Sequence, residues 1–376
     1  MKKIKRNILL NPGPATTTDT VKQAQVVPDI CPRETEFQVV MDGIREDLVK
    51  IVHGGTDYAS VLFGGSGTSA MDATLASVVP PDGKILLLIN GAYGKRMQQI
   101  TKTYDIATSV YEVEWGTALD WRVVDQMLSN DRTISHIAMV HHETTTGILN
   151  PLEPFLAISK KYNLTTLADT ISSYAGIPID LRETPVDFLM STSNKCIQGM
   201  AGLAFVICKN ISLEKLSKFK GRTFYLDLYK QYDYFERTGQ MRFTPPVQVT
   251  YALRQAIDEY FEEGESNRWD RYSKSYKTLI DGLTKLGFRF LLGDDVKHSR
   301  ILTTIYEPDH PNYDFNDLHD RLYERGFTIY PGKVSDKDTF RLSVLGAIDH
   351  TDIRDFLVNL EEVLDEMDVE IRYSRF

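Results

Sequence analysis

Val186-Asp187-Phe188-Leu189-Met190-Ser191-Thr192-Ser193-Asn194-Lys195-Cys196-Ile197-Gln198-Gly199 passes from an apolar run into a polar turn that holds a single lysine. A second apolar run, Leu203-Ala204-Phe205-Val206-Ile207, follows almost at once. The two runs predict buried strands, and the turn between them places Lys195 at a strand end. Burial disfavours the charged form of an ammonium group. A lysine there is either a solvated loop residue or an amine with a task, and one such task is a Schiff base with an aldehyde.

Upstream, Leu167-Ala168-Asp169-Thr170-Ile171-Ser172-Ser173 puts a carboxylate at the end of another short apolar run. Alone, Asp169 reads equally well as a turn or helix cap. Paired with Lys195 it matches the demands of pyridoxal phosphate, whose aldehyde takes a lysine and whose ring nitrogen takes a carboxylate. That cofactor also needs an anion site. Gly64-Gly65-Ser66-Gly67-Thr68-Ser69 follows the apolar run 60–63 and opens a helical pattern over 68–79, with Met71, Leu75, Val78 and Val79 on one face. Glycines let the backbone approach an anion, and a helix N-terminus offers unpaired N–H groups. The same letters also suit a flexible turn. They are neither a P-loop, which needs Gly-Lys-Ser/Thr, nor the dinucleotide fingerprint, whose third glycine is missing.

Two more strand ends carry candidates. Tyr93, in Asn90-Gly91-Ala92-Tyr93-Gly94, either covers a planar ring or packs locally. In His141-His142-Glu143-Thr144-Thr145-Thr146-Gly147 the adjacent histidines point to opposite faces of a strand, which argues against a shared metal. The threonines, Thr146 among them, read as hydrogen-bond partners for the cofactor's phenolic oxygen or as turn formers.

The apolar runs 60–63, 84–89, 108–111, 134–140, 165–168, 188–190 and 203–207 alternate with helical patterns and predict a mostly parallel α/β sheet of seven strands. In such sheets ligands bind beyond the carboxyl ends of the strands. The chain then divides into an arm over 1–22, a large domain over 23–262 and a smaller C-terminal α+β domain over 263–376, with strands near 301–305, 328–330 and 339–342. Residues 209–220 read as a polar helix, 221–240 as an irregular aromatic stretch, 247–262 and 267–286 as long helices, and 358–367 as an acidic closing helix. The aromatic stretch suits a subunit interface or an ordinary core.

The net charge of −9 opposes non-specific nucleic-acid binding. No apolar run approaches membrane-spanning length, and the basic start, Lys2 to Arg6, leads into too short an apolar stretch for a signal peptide. Three cysteines, Cys31, Cys196 and Cys208, form neither a disulfide framework nor a zinc spacing and suit a cytoplasmic enzyme.

The motifs together resemble the fold-type I, class V pyridoxal-phosphate aminotransferases, and within them the aminoethylphosphonate group. The resemblance is carried by Leu10-Asn11-Pro12-Gly13-Pro14, Gly65-Ser66-Gly67-Thr68, Asn90 to Gly94, Ser135 to His141, Glu143 to Gly147, Asn194 to Gly199, Leu226-Asp227-Leu228-Tyr229, Arg242-Phe243-Thr244 and Tyr330-Pro331-Gly332-Lys333-Val334. It implies transamination of 2-aminoethylphosphonate with pyruvate, Lys195 as internal aldimine and proton-transfer base, and Asp169 on the ring nitrogen. Ser66, Gly67, Thr68 and Ser193 are implied to bind the cofactor, with Tyr93 over its ring. Thr244 is implied to reach the phosphate of a partner subunit, in a homodimer with shared sites. Arg341 is implied to grip the substrate's anion, with Arg33 at the substrate mouth. Glyoxylate-type aminotransferases and a lyase acting on a hydroxylated aminophosphonate are the neighbouring readings. Departures such as Thr170-Ile171 and Met200-Ala201 flank the cofactor residues without replacing them.

Overall fold

In the computed structural model, residues 6–332 and 337–371 are described. Most of the basic start, and Lys333 and Val334 of the Tyr330–Val334 motif, lie outside the described residues. The main sheet has seven strands: β1 (Tyr58–Gly65), β2 (Lys84–Ile89), β3 (Ala107–Glu112), β4 (Ile134–Val140), β5 (Thr165–Asp169), β6 (Phe188–Thr192) and β7 (Gly202–Lys209). Their spatial order is β1-β7-β6-β5-β4-β2-β3. Only β7 runs against its neighbours, β1 and β6; the other pairings are parallel.

That topology follows from the apolar runs. Phe188, Leu189 and Met190 are fully buried, as are Leu203 to Ile207. Each such side chain removed from water stabilises the fold by roughly 1.5–3 kcal/mol. Successive side chains enter two separate cores, one on each face of the sheet: Leu189 and Phe205 in the first, Phe188, Met190 and Val206 in the second. The parallel strands bring Gly65, Ile89, Val140, Asp169 and Thr192 to one edge. The register Gly202↔Gly65 keeps the start of β7 at that edge too.

Two helices open directly from it, α1 (Gly67–Val78) and α2 (Ala92–Thr103). A third core gathers residues from α3 (Glu265–Lys285), β8 (Leu302–Tyr306), β10 (Thr339–Ser343) and α4 (His350–Glu366), with Leu279, Phe340, Leu342 and Phe356 fully buried, while the exposed β9 (Tyr330–Pro331) pairs with β10. The N-terminal segment belongs to this core. Ile8 and Leu9 pair in parallel with Phe327 and Thr328, and Ser343 donates its N–H to Leu10 O at 2.7 Å. Among the described residues no helix is long and apolar enough to cross a membrane.

Several expectations need correction. The stretch 221–240 is not irregular throughout: Leu228–Thr238 is a helix. Asp227 caps it by accepting from Lys230 N, Leu228, Gln231 and Phe235 form its buried face, and Gly239 ends it in the left-handed region. Dense aromatic residues hid that period. The polar helix expected over 209–220 breaks into Asn210–Glu214 and a 3-10 turn, Lys215–Lys218. The closing helix begins earlier, at His350, because Asp349 and Asp352 form a reciprocal capping box. The strand expected over 328–330 is two short pieces, split where Ile329 turns into the core.

Burial also leaves a titration signature. His136, on β4, is held down to about 4 by desolvation and is neutral in the folded chain. Its ordinary value is near 6.5. The stability that this neutral ring represents is complete above about 6.5 and is lost as pH falls towards 4. His136→Gln therefore flattens the fall of the melting temperature between pH 6.5 and 4. An unchanged slope would assign the acid sensitivity to other groups.

Candidate active site

At the end of β1, Gly65 adopts φ +153° and Ser66 takes the N-cap position of α1 without a side-chain cap bond. The first N–H groups of the helix are thus left to another acceptor. A Cβ on Gly65 would press on Ser69 Oγ at 2.5 Å, so the tight loop requires glycine. Ser69 turns inward, donating through both N and Oγ to Ser66 O at 2.8 and 2.7 Å.

Beside this loop, Arg96 Nη1 donates to Thr68 Oγ1 at 3.2 Å, and its guanidinium lies 4.7 Å from the centre of the Tyr93 ring. Tyr93 is fixed by its backbone. The Glu143 carboxylate accepts from Tyr93 N at 3.0 Å and Gly94 N at 3.4 Å with one oxygen, and from Thr145 N at 3.0 Å and Thr145 Oγ1 at 2.6 Å with the other. Gly91 has no room for a side chain, because its Cβ would strike that carboxylate. Burial raises the Glu143 carboxyl, while the four donors pull the other way.

Asp169 is almost wholly buried and accepts from Ile171 N at 2.8 Å. Desolvation pushes it up to about 7. Lys195 follows β6 in a turn closed by Gly199 N to Ser193 O at 2.8 Å. Its amine donates to Pro12 O, and a Cβ on Gly13 would collide with it. Burial lowers its pKa, against the raising influence of Tyr93, Cys196 and Asp169, while Arg341 lowers it further. A buried amine with a lowered pKa and a buried carboxyl with a raised one, each acting on the other's titration, mark a candidate functional site.

Arg341 on β10 is fully buried. Its Nε donates to Pro331 O at 3.1 Å and its Nη1 to Thr144 O at 3.3 Å, while Nη2 has no hydrogen-bond partner among the described residues. A buried guanidinium with an idle N–H pair is costly unless an anion completes it.

The chain compares closely with known proteins. The family described as Aminotransferase class-V matches residues 20–345. The 2-aminoethylphosphonate–pyruvate transaminase of Klebsiella pneumoniae is 41% identical over 360 residues, 95% of this chain and 97% of that one. Its counterpart in Salmonella paratyphi C is 41% identical over 362 residues, covering 95% and 97%. The chain belongs to the class-V aminotransferases. The alanine–glyoxylate aminotransferase of Nostoc sp. superposes with a TM-score of 0.88 at 27% identity, over 96% of each chain. Ureidoglycine–glyoxylate aminotransferase of Bacillus subtilis shares the fold, with a TM-score of 0.89 at 21% identity, over 99% of this chain and 96% of its own.

The cofactor of this class-V aminotransferase is pyridoxal phosphate, and the residues present fit it. The uncapped N-terminus of α1 suits the phosphate, the raised Asp169 carboxyl is met by the Ile171 N–H and by no ion pair among the described residues, and burial lowers the pKa of the Lys195 amine. Asp169, Tyr93 and Arg341 converge on Lys195, each perturbing its titration. Other expected residues sit differently. Ser193 Oγ is engaged with Met200 O and, at 3.1 Å, Leu203 O. Thr146 is buried, its Oγ1 accepting from Ile148 N at 3.4 Å. Thr244 is exposed, next to a Tyr225–Phe243 stack with centroids 4.9 Å apart. Arg33 ties down the loop before Thr244, donating to Met241 O at 2.6 Å, Gln240 Oε1 at 3.1 Å and Arg242 O at 3.4 Å.

Sequence reasoning missed Glu143 as the clamp on Tyr93 and Thr145, and Arg96 beside Thr68. For Arg96 a signal existed: three residues after Tyr93 on a helix is one turn, which puts both on one face.

Proposed function

We propose that this class-V aminotransferase moves the amino group of 2-aminoethylphosphonate to pyruvate, yielding phosphonoacetaldehyde and alanine. The 41% identity to transaminases of that name over nearly the whole chain carries the reading. When bound, pyridoxal phosphate supplies an aldehyde to take the amino group and a ring to take the electron pair left by proton removal.

The chain's own residues do the rest. Lys195 holds the cofactor, yields to the incoming amine and, once released, moves the proton at the substrate carbon as general base. Burial lowers its pKa, which favours the neutral amine that attack and proton removal require. Asp169 keeps the ring nitrogen protonated. Ser66, Gly67 and Thr68 hold the phosphate, Tyr93 covers the ring, and Thr146 and Ser193 shape the walls around it. Arg341 takes the phosphonate or carboxylate on its idle Nη2. In this reading residues 23–262 bind the cofactor, residues 263–376 present Arg341, and residues 1–22 are the arm.

The working form is a homodimer in which Thr244 reaches the partner's cofactor phosphate and Arg33 steadies that loop at the mouth of the site. Supporting it, Phe224 is 77% exposed beside Phe243 and Arg242. Tyr225 reaches towards Gly64 at the phosphate loop. Free cysteines, one of them exposed, suit the cytoplasm.

The test is the absorbance of the purified protein. The band of the lysine-bound cofactor is lost on adding 2-aminoethylphosphonate and returns on adding pyruvate. A band indifferent to the aminophosphonate but bleached by alanine and restored by glyoxylate would move the assignment to the glyoxylate enzymes, whose Nostoc sp. member this chain resembles in fold.

A further inference from the structure

The loop that opens α1, Gly64-Gly65-Ser66-Gly67-Thr68-Ser69, contains no cation. A helix N-terminus amounts to about half a positive charge, whereas a phosphate monoester carries about 1.5 to 2 negative charges at neutral pH. The loop alone leaves most of that charge uncompensated in a partly buried site.

Arg96 stands where the compensation is needed. Its Nη1 hydrogen-bonds Thr68 Oγ1 at 3.2 Å, on the second residue of the helix. Because that oxygen accepts from Arg96, its own hydrogen remains free to point outward at an anion. The guanidinium lies over the Tyr93 ring, 4.7 Å from its centre, a cation–π arrangement that fixes the group without discharging it. Its neighbour Lys95 pairs with Glu112, but among the described residues Arg96 has no carboxylate within salt-bridge distance. Its charge reaches Asp169, where it favours the ionised carboxylate.

We propose that Arg96 is a direct ligand of the cofactor's phosphate, supplying the positive charge the glycine loop lacks. One end of its guanidinium is anchored on Thr68 and one face on Tyr93, so its remaining N–H groups are presented as a fork to phosphate oxygens. Arg96 thus links the group that holds the phosphate to the group that covers the ring. The inference rests on pyridoxal phosphate as cofactor and not on the identity of the substrate.

Apoenzyme is titrated with pyridoxal phosphate and, separately, with pyridoxal, which has the aldehyde and ring but no phosphate; the absorbance of the lysine-bound aldehyde reports both. Arg96→Gln is expected to weaken pyridoxal phosphate roughly tenfold or more, as for a lost charge-assisted hydrogen bond, and to change pyridoxal less than about twofold. Arg96→Lys, which keeps charge but not the fork, falls between. Equal losses for both ligands would overturn the proposal and leave Arg96 as a support for the Tyr93 ring. No loss for either would remove it from the phosphate site. If Arg96→Gln does not fold, Arg96→Lys and the competition of inorganic phosphate against pyridoxal phosphate on the wild-type apoenzyme carry the same comparison. None of these readouts involves the aminophosphonate, so a wrong substrate would surface only in the bleaching experiment.

Discussion

Lys195→Ala lowers transamination by at least about a thousandfold, since on the proposed mechanism it removes both the covalent anchor and the proton-transferring base. The protein nonetheless stays folded and keeps its oligomeric state. The second half of this expectation is the more diagnostic. Burial depresses the Lys195 amine, so the wild-type chain carries a desolvated basic group that alanine lacks. Most of the turn survives truncation, because Gly199 N–Ser193 O and Gln198 N–Lys195 O are backbone bonds. The melting temperature of the cofactor-free variant is therefore equal to or above that of wild type. Single-turnover bleaching and calorimetry check the two halves. Rapid residual turnover would remove Lys195 from its role, and a large fall in melting temperature would make the residue structural.

Asp169→Asn lowers turnover by roughly a thousandfold on the proposed role of Asp169, because an amide would not hold a proton on the ring nitrogen and the ring would lose its pull on the electron pair left by proton removal. The substitution preserves shape: the amide oxygen still accepts from Ile171 N. Stability moves the other way. In the cofactor-free chain the Asp169 carboxyl is raised from near 3.8 to about 7 by desolvation. A raised carboxyl favours the native state below its unfolded value, and that contribution is lost as pH climbs towards 7. At pH 8 the buried charge remains, at a cost of up to about 4 kcal/mol for a shift of this size. The cofactor-free Asn variant is thus more stable than wild type at pH 8 and indistinguishable from it near pH 4. Equal pH dependence in the two proteins would show that Asp169 is already paired before the cofactor arrives.

What could be read in the chain was whatever lies at strand ends. Lys195, Asp169 and the Ser66–Thr68 loop follow apolar runs whose burial is unambiguous, so their common edge follows from parallel topology. Arg341 gave its type and motif, but its idle Nη2 is visible only once Thr144 and Pro331 take its other nitrogens. Glu143 lies inside a motif at a strand end, yet its role depends on the close approach of Gly91, far from it in the chain. The helix Leu228–Thr238 was hidden by aromatic density, and the helix Thr35–Ile51 was passed over because it precedes the first strand and carries no site motif. Local pattern specifies elements; which long-range groups close on one another is decided by packing.

The pairing of Ile8 and Leu9 with Phe327 and Thr328 bears on the order in which the enzyme is made. The carbonyl that receives the Lys195 amine, Pro12 O, lies just beyond that strand. The N-terminal segment leaves the ribosome long before its partner strand is translated, and domains fold in that same order. The sheet bearing Lys195 and Asp169 can therefore form on the nascent chain while the wall behind the lysine is still unbuilt. That wall closes only once the strand Phe327–Thr328 has emerged and drawn the early segment into place.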